Sequence, residues 1–146
     1  MTVLVERAVV ADAELLAAVR HLLPQLSETA PVPEAIDLET VVDAAATTLL
    51  VAREAPGQPI VGMLTVALFR LPSGVRAWIE DVVVDDGARR LGAGRALVAA
   101  AVELATDAGA TSINLTSRPS RESARLLYES MGFEERATTV FRRSLP

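Results

Sequence analysis

The stretch WIEDVVVDDGARRLGAGR, residues 78–95, contains a β-branched run, a loop rich in arginine and glycine, and the start of a helix. Val82-Val83-Val84 is typical of a strand end. From Gly92 to Ala108 apolar residues recur at helical spacing, and Gly109 is typical of a residue that ends a helix. The first N–H groups of a helix lack internal partners, and the helix dipole adds about half a positive charge there. The stretch therefore predicts a phosphate-binding loop between a strand and a helix.

The side chains of this loop favour a diphosphate ligand. Arg89, Arg90 and Arg95 can donate charge-assisted hydrogen bonds to phosphate oxygens, and the glycines allow close approach to the backbone. A dinucleotide-binding G-x-G-x-x-G motif would need a third glycine, but that place is Leu97. An ATP-type phosphate loop needs a lysine, and the sequence contains none. Both alternatives are therefore weak.

The chain before this stretch predicts helices and an antiparallel meander. Asp12 is a plausible N-cap for an amphipathic helix that carries Leu15, Val19, Leu22 and Leu23. Three prolines predict a loop over Pro24–Ile36. The remaining elements of this half are a strand over 2–9, a helix over 38–46, and strands over 48–54, 60–69 and 75–84. The last three are joined by connections too short for a crossover helix, so they form an antiparallel meander.

The chain after the meander alternates strand and helix. The predicted elements are the helix over 92–108, a strand over 112–116, a helix over 121–131 and a terminal strand pair over 133–135 and 140–144. The fold class is therefore α/β, with a mixed sheet and helices on both faces, in one domain over residues 1–146.

Composition limits the classes of function. All 14 basic residues are arginine, they are scattered, and the net charge is −5, which does not favour nucleic acid. The absence of cysteine excludes a disulfide, a thiolate nucleophile and a thiolate metal site, and no His/Asp/Glu spacing suggests a metal. No apolar run approaches the ~20 residues of a membrane span, and the N-terminus lacks the pattern of a signal peptide. We expect a cytoplasmic protein with no membrane partner.

Two motifs resemble the Gcn5-related N-acetyltransferase (GNAT) family. Arg89-x-x-Gly92-x-Gly94 after the valine strand is similar to its Arg/Gln-x-x-Gly-x-Gly/Ala hallmark. The run Ala124-Arg-Leu-Leu-Tyr128-Glu-Ser-Met-Gly-Phe133 looks like its late signature, a helix with Leu-Tyr-Glu followed by Gly-Phe. The resemblance is sharp over residues 78–133. It implies a sheet whose two middle strands splay apart around acetyl-CoA, and family members are often homodimers.

The resemblance also implies the coenzyme contacts. The backbone of the loop would hold the pyrophosphate, and the main chain of Val82, Val83 and Val84 would pair with the pantetheine arm like an added strand. The family often has asparagine where this chain has Arg121, so Ser120 or Arg121 itself is expected to replace that contact. The implied loop residues are Arg89, Arg90, Leu91, Gly92, Ala93, Gly94 and Arg95.

Tyr128 and Glu80 are the main candidates for catalysis. By resemblance, Tyr128 lies beside the thioester sulfur and acts as general acid to the leaving thiolate; its alternative is half-buried packing. Simple alternation puts Glu80 on one strand face with Val82 and Val84, so Glu80 is a candidate general base, directly or through water. Asp81 is a weaker candidate for the base. His21, the one histidine, is expected to be a surface or structural residue.

The predicted reaction is direct attack by the primary amine of a small molecule on the thioester of acetyl-CoA. Two alternatives stay open: a sensor module that binds acetyl-CoA without turnover, and an acyltransferase that acts on a protein N-terminus or peptide. The acceptor pocket is expected near Pro24–Ile36 and near Arg136–Thr139, where the sequence has no diagnostic pattern.

Overall fold

The computed structural model describes residues 2–146. Residues up to Leu115 form one compact unit, and Thr116–Pro146 form a second. No helix in the described part of the chain is long and apolar enough to cross a membrane.

The first unit is built on a five-stranded mixed sheet. Its strands, which neighbour one another in chain order, are β1 (Leu4–Arg7), β2 (Thr47–Arg53), β3 (Ile60–Leu71), β4 (Gly74–Val84) and β5 (Ala110–Asn114); its helices are α1 (Ala13–Leu26), α2 (Ala35–Asp43) and α3 (Ala93–Asp107). Neighbours from β1 to β4 are antiparallel, and β4 and β5 are parallel. The parallel pair needs a crossover, which α3 provides. The predicted meander and the strand–helix–strand order after it are confirmed.

Helices cover both faces of the sheet. On one face, α1 and α2 form a core with the sheet: Leu15, Val19, Leu22, Leu38, Leu49, Val51, Met63 and Val83. Strand side chains alternate between faces, so Leu50, Leu64 and Val66 belong to the other face. There α3 packs so closely that a Cβ on Gly62 would lie 3.1 Å from Leu97 Cδ1. Burial of apolar side chains on both faces fixes the register of the strands.

The boundaries of α1 and α2 differ from the prediction. The N-cap of α1 is Asp12, as predicted, and its Oδ1 accepts from the Leu15 N–H at 2.9 Å. The helix then continues through Pro24 to Leu26, since Leu23 and Leu26 pack against the core and offset the lost backbone hydrogen bond. The loop predicted from Pro24 is therefore wrong for its first three residues. Helix α2 begins at Ala35, inside the predicted loop, because the N-cap Glu34 and Asp37 in the first turn form a capping box.

The second unit contains one helix, α4 (Glu122–Ser130). Gly132, at φ +92°, ends it, and the Phe133 N–H donates to the Tyr128 carbonyl oxygen at 3.0 Å. The terminal strands predicted over 133–135 and 140–144 are not formed. Val140 and Phe141 are consecutive exposed residues followed by two arginines, so the segment has no alternating apolar face to bury.

Candidate functional site

Strand β4 contains a bulge at its centre. Thr65 of β3 pairs with Glu80, and Met63 pairs with Val83, so Leu64 alone lies opposite Asp81 and Val82. Asp81 takes the left-handed conformation, φ +52°, which aspartate tolerates better than most residues. A β-bulge of this kind redirects the side chains that follow it.

The bulge overturns the predicted alternation along β4. Opposite residues of an antiparallel pair share a face, so Glu80 and Val83 lie on the α1/α2 face with Thr65 and Met63. Val84 lies on the α3 face, where its Cγ2 would be 3.4 Å from a Cβ on Gly62. Glu80 and Val84 therefore do not share a face.

One edge of β4 is only partly paired with β5. The pairing covers Val75–Trp78 and stops there, although β4 continues for six residues. The Asp85 N–H donates to the Val61 carbonyl oxygen of the β3 side at 2.8 Å. Because backbone groups alternate along a strand, the N–H and C=O of Val84 point towards the edge that β5 leaves unpaired. An extended ligand could pair with this edge.

The loop after β4 leads directly into the start of α3. A short 3₁₀ turn, Asp86–Ala88, is followed by Arg90 at φ +73° and by Gly92 at φ +84°, which is the N-cap. Gly92 has no side chain to cap the helix, and the space where its Cβ would lie is open. The exposed start of this 15-residue helix can therefore accept an anion.

The arginines of the loop are placed differently from one another. Arg89 is exposed and pairs with Asp86 at 2.8 Å. Arg90 is also exposed, and Arg95 lies in the first turn of α3. An exposed ion pair such as Arg89–Asp86 is weak, so a diphosphate could compete for the guanidinium.

Helix α1 anchors the beginning of this loop. His21 Nε2 and Gln25 Nε2 lie 3.0 and 2.9 Å from Asp85 Oδ1, and Gln25 Oε1 accepts from the Asp86 N–H at 2.9 Å. The hydrogen bonds from Gln25 and then His21 lower the pKa of Asp85. His21 is therefore a surface residue with a structural contact. Its partner is 64 residues away, so no local pattern could have revealed it.

A pocket of about 260 Å³ opens on the α1/α2 face, beside β4. Asp81 lines it, whereas the Glu80 carboxylate accepts from Trp78 Nε1 at 2.8 Å. The full lining is Val19, Leu23, Pro33, Asp37, Leu38, Val41, Thr47, Leu49, Met63, Thr65 and Asp81. Pro33 belongs to the loop where the acceptor pocket was expected. The sequence did not favour Asp81 over Glu80, because only the bulge directs Asp81 here.

The second unit holds the other predicted site residues. Tyr128 is half-buried on α4, with its ring centroid 5.9 Å from that of Phe133. Burial raises the pKa of the Tyr128 phenol, and the nearby positive charge of Arg121 partly opposes that rise. Ser120 and Arg121 are exposed just before α4, and Arg121 caps the helix without a side-chain hydrogen bond.

One polar residue of this unit was missed by the sequence analysis. Within residues 2–146, Ser117 Oγ is a buried side-chain oxygen without a hydrogen-bond partner. Such a group costs about 1–3 kcal/mol unless a ligand or water satisfies it. No motif marked Ser117, since burial of a serine has no local sequence signal.

The sequence matches the model of a known protein family. The sequence model of the acetyltransferase (GNAT) family matches residues 15–133. An acetyltransferase from Trypanosoma brucei has 25% identity and a TM-score of 0.79, with 99% of this chain and 100% of that chain covered. No curated protein matches the sequence.

Two further solved structures share the fold. An aminoglycoside acetyltransferase from an uncultured soil metagenomic sample, in complex with trehalose, has 21% identity and a TM-score of 0.85, with 99% of this chain and 97% of that chain covered. AAC(6')-Iy, in complex with the bisubstrate analogue CoA-S-monomethyl-acetylneamine, has 18% identity and a TM-score of 0.80, with 100% of both chains covered.

Proposed function

The chain belongs to the acetyltransferase (GNAT) family, and we propose that it transfers an acetyl group from acetyl-CoA to the primary amine of a small molecule. The observation that carries the proposal is the continuous run of β4 from its bulge and unpaired edge into the glycine-capped start of α3. We also propose that residues 1–146 act as one catalytic domain. The family match from 15 to 133 spans both compact units, which supports this.

The geometry of the first unit fits the coenzyme. An extended pantetheine arm needs a strand edge with unpaired backbone groups, and β4 has such an edge at Val84. A diphosphate needs an open helix start, which Gly92 provides with Arg89 and Arg90 close by in sequence. When bound, acetyl-CoA supplies an activated acetyl thioester.

The chain's own residues then position the reactants and manage protons. Glu80, on the α1/α2 face, accepts the proton of the attacking amine directly or through water. The Tyr128 phenol has an ordinary pKa near 10, which burial raises further, so it is protonated near neutral pH and can donate to the leaving sulfur. In the second unit, Ser117 is a buried hydroxyl that a bound ligand would satisfy, and it joins Ser120 and Arg121 as a coenzyme candidate.

A thiol-release assay tests this function. The protein is incubated with acetyl-CoA, with and without a panel of amines, amino acids, polyamines and peptides. We expect thiol release that depends on a small primary amine. Binding of acetyl-CoA without release would indicate the sensor alternative, and release with peptides alone would indicate the peptide acyltransferase. The cytoplasmic location and the homodimer stay predictions.

A further inference from the structure

The pocket on the α1/α2 face has an apolar wall and two carboxylates. Its apolar lining comes from both helices, the loop between them and the sheet: Val19, Leu23, Pro33, Leu38, Val41, Leu49 and Met63. Thr47 and Thr65 are the neutral polar residues of the lining. Such a surface excludes water from an apolar ligand but offers few partners to a ligand with many hydroxyl groups.

The two carboxylates come from different elements. Asp81 is brought into the lining by the β4 bulge, and Asp37 lies in the first turn of α2. One oxygen of Asp37, Oδ2, already accepts the Glu34 N–H at 2.8 Å. Arg20 donates to the carbonyl oxygen of Pro33, a lining residue, and to the Glu34 carboxylate, and not to Asp37 or Asp81. The lining contains no basic residue, so its charge is complementary to a cation.

The size of the pocket limits its occupant. Its volume of about 260 Å³ lies just below the roughly 300–1,000 Å³ of pockets that hold drug-sized ligands. This volume suits a small occupant, and the lining offers few hydrogen-bond partners to a polyhydroxylated amino sugar.

We infer that the acceptor is a small primary amine on an apolar skeleton, with its ammonium held at Asp81 and its body against the apolar wall. This inference rests on the proposed function, because it names the substrate class of the same reaction. The position of the pocket beside β4 brings that amine to the strand along which the coenzyme is proposed to lie.

Substrate choice is the first test. We expect 2-phenylethylamine and isoamylamine to be acetylated with a kcat/KM at least about tenfold above that of glucosamine, since partners for its hydroxyl groups are few in this pocket. Asp81→Asn should raise the KM for 2-phenylethylamine about tenfold, as expected for loss of a hydrogen bond to a charged group. Asp43→Asn is the matched control, because it removes an exposed carboxylate of α2 outside the lining. Equal KM values for the two variants, or a preference for glucosamine, would overturn the inference.

Binding is measured separately from turnover through the Met63 methyl group. Met63 lines the pocket, and Met63→Leu assigns its signal in a methyl NMR spectrum; the signal of Met131, which is not among the lining residues, serves as a reference. We expect 2-phenylethylamine to shift the Met63 signal and 2-phenylethanol, which lacks the charge, to shift it more weakly. A shift without any acetylation would keep the pocket assignment and reject the proposed function.

Two other results would reject the pocket assignment while leaving the function intact. The first is acetylation of 2-phenylethylamine without a Met63 shift. The second is a Met63 shift that follows protein concentration and not amine concentration, because it would assign the pocket to a second copy of the chain. Val41→Arg gives a further check: Val41 is 38% exposed, so the variant should fold and bind coenzyme but lose the response to 2-phenylethylamine.

Discussion

Replacing Gly92 with glutamate perturbs the proposed phosphate loop at its most sensitive position. Gly92 has φ +84°, and a Cβ added there would have no atom within 4 Å. The left-handed backbone alone should lower the free energy of unfolding by roughly 1–2 kcal/mol. Gly57 is a matched control, because its φ is +79° and its Cβ position is equally open, but it lies in the turn before β3. Both glutamate variants should therefore lose similar stability.

Only the variant in the loop should lose affinity for acetyl-CoA. Two like charges 4 Å apart repel by about 1 kcal/mol in water and by about 4 kcal/mol at an effective dielectric constant of 20. Since about 1.4 kcal/mol is a factor of ten, the dissociation constant should rise between about fivefold and about 10³-fold. Titration calorimetry at low and high salt measures it, and the loss should shrink as salt screens the charges. If folded Gly92→Glu binds acetyl-CoA as tightly as Gly57→Glu, the phosphate loop is misassigned.

Three other substitutions test separate parts of the account. Tyr128→Phe should lower kcat and kcat/KM together by at least tenfold, since the hydrogen bond to sulfur grows only in the transition state; an unchanged rate would show that the phenol hydroxyl takes no part in catalysis. The chain has one tyrosine and no lysine or cysteine, and the folded-state pKa of Tyr128 is raised. The free energy of unfolding should thus keep the full contribution of Tyr128 below the unfolded pKa near 10 and should fall as pH rises from there through the raised folded-state pKa. Tyr128→Phe should not show this fall in alkaline unfolding. Arg121→Ala should weaken acetyl-CoA binding by about 1–3 kcal/mol, measured by calorimetry against Arg118→Ala; equal affinities would make Arg121 a bystander. Gln25→Ala removes hydrogen bonds to Asp85 and to the loop backbone and should lower the free energy of unfolding by about 1 kcal/mol; denaturant unfolding with no change would show that the anchor contributes nothing.

The parts of the fold that were predicted are those with a local signal. Side-chain periodicity located the helices and the meander, Asp12 located the start of α1, and the pair Gly92 and Gly109 bracketed α3. Each of these depends on residues within one or two turns of the chain. The edge of β4 that β5 leaves unpaired beyond Trp78 has no local signal, and an opening between the middle strands was expected only through family resemblance.

The missed parts depend on contacts between distant residues. The β4 bulge depends on pairing with β3, so the sequence placed Glu80 and Val84 on one face and did not favour Asp81. Helix α1 continues through Pro24 because packing of Leu23 and Leu26 against the core offsets the hydrogen bond lost at the proline. A rule based on proline alone does not anticipate this. The burial of Ser117 likewise has no local signature.

Direct acetyl transfer to the amine can be followed by NMR with a ¹³C-labelled acetyl group. The protein is mixed with [¹³C-acetyl]-CoA and 2-phenylethylamine, and the chemical shift of the labelled carbonyl identifies the group that carries it. We expect the label to move from the thioester to an amide on the amine, without labelled protein and without labelled acetate. Label that stays on the coenzyme, or that appears only as acetate or on the protein, would contradict direct transfer to the amine.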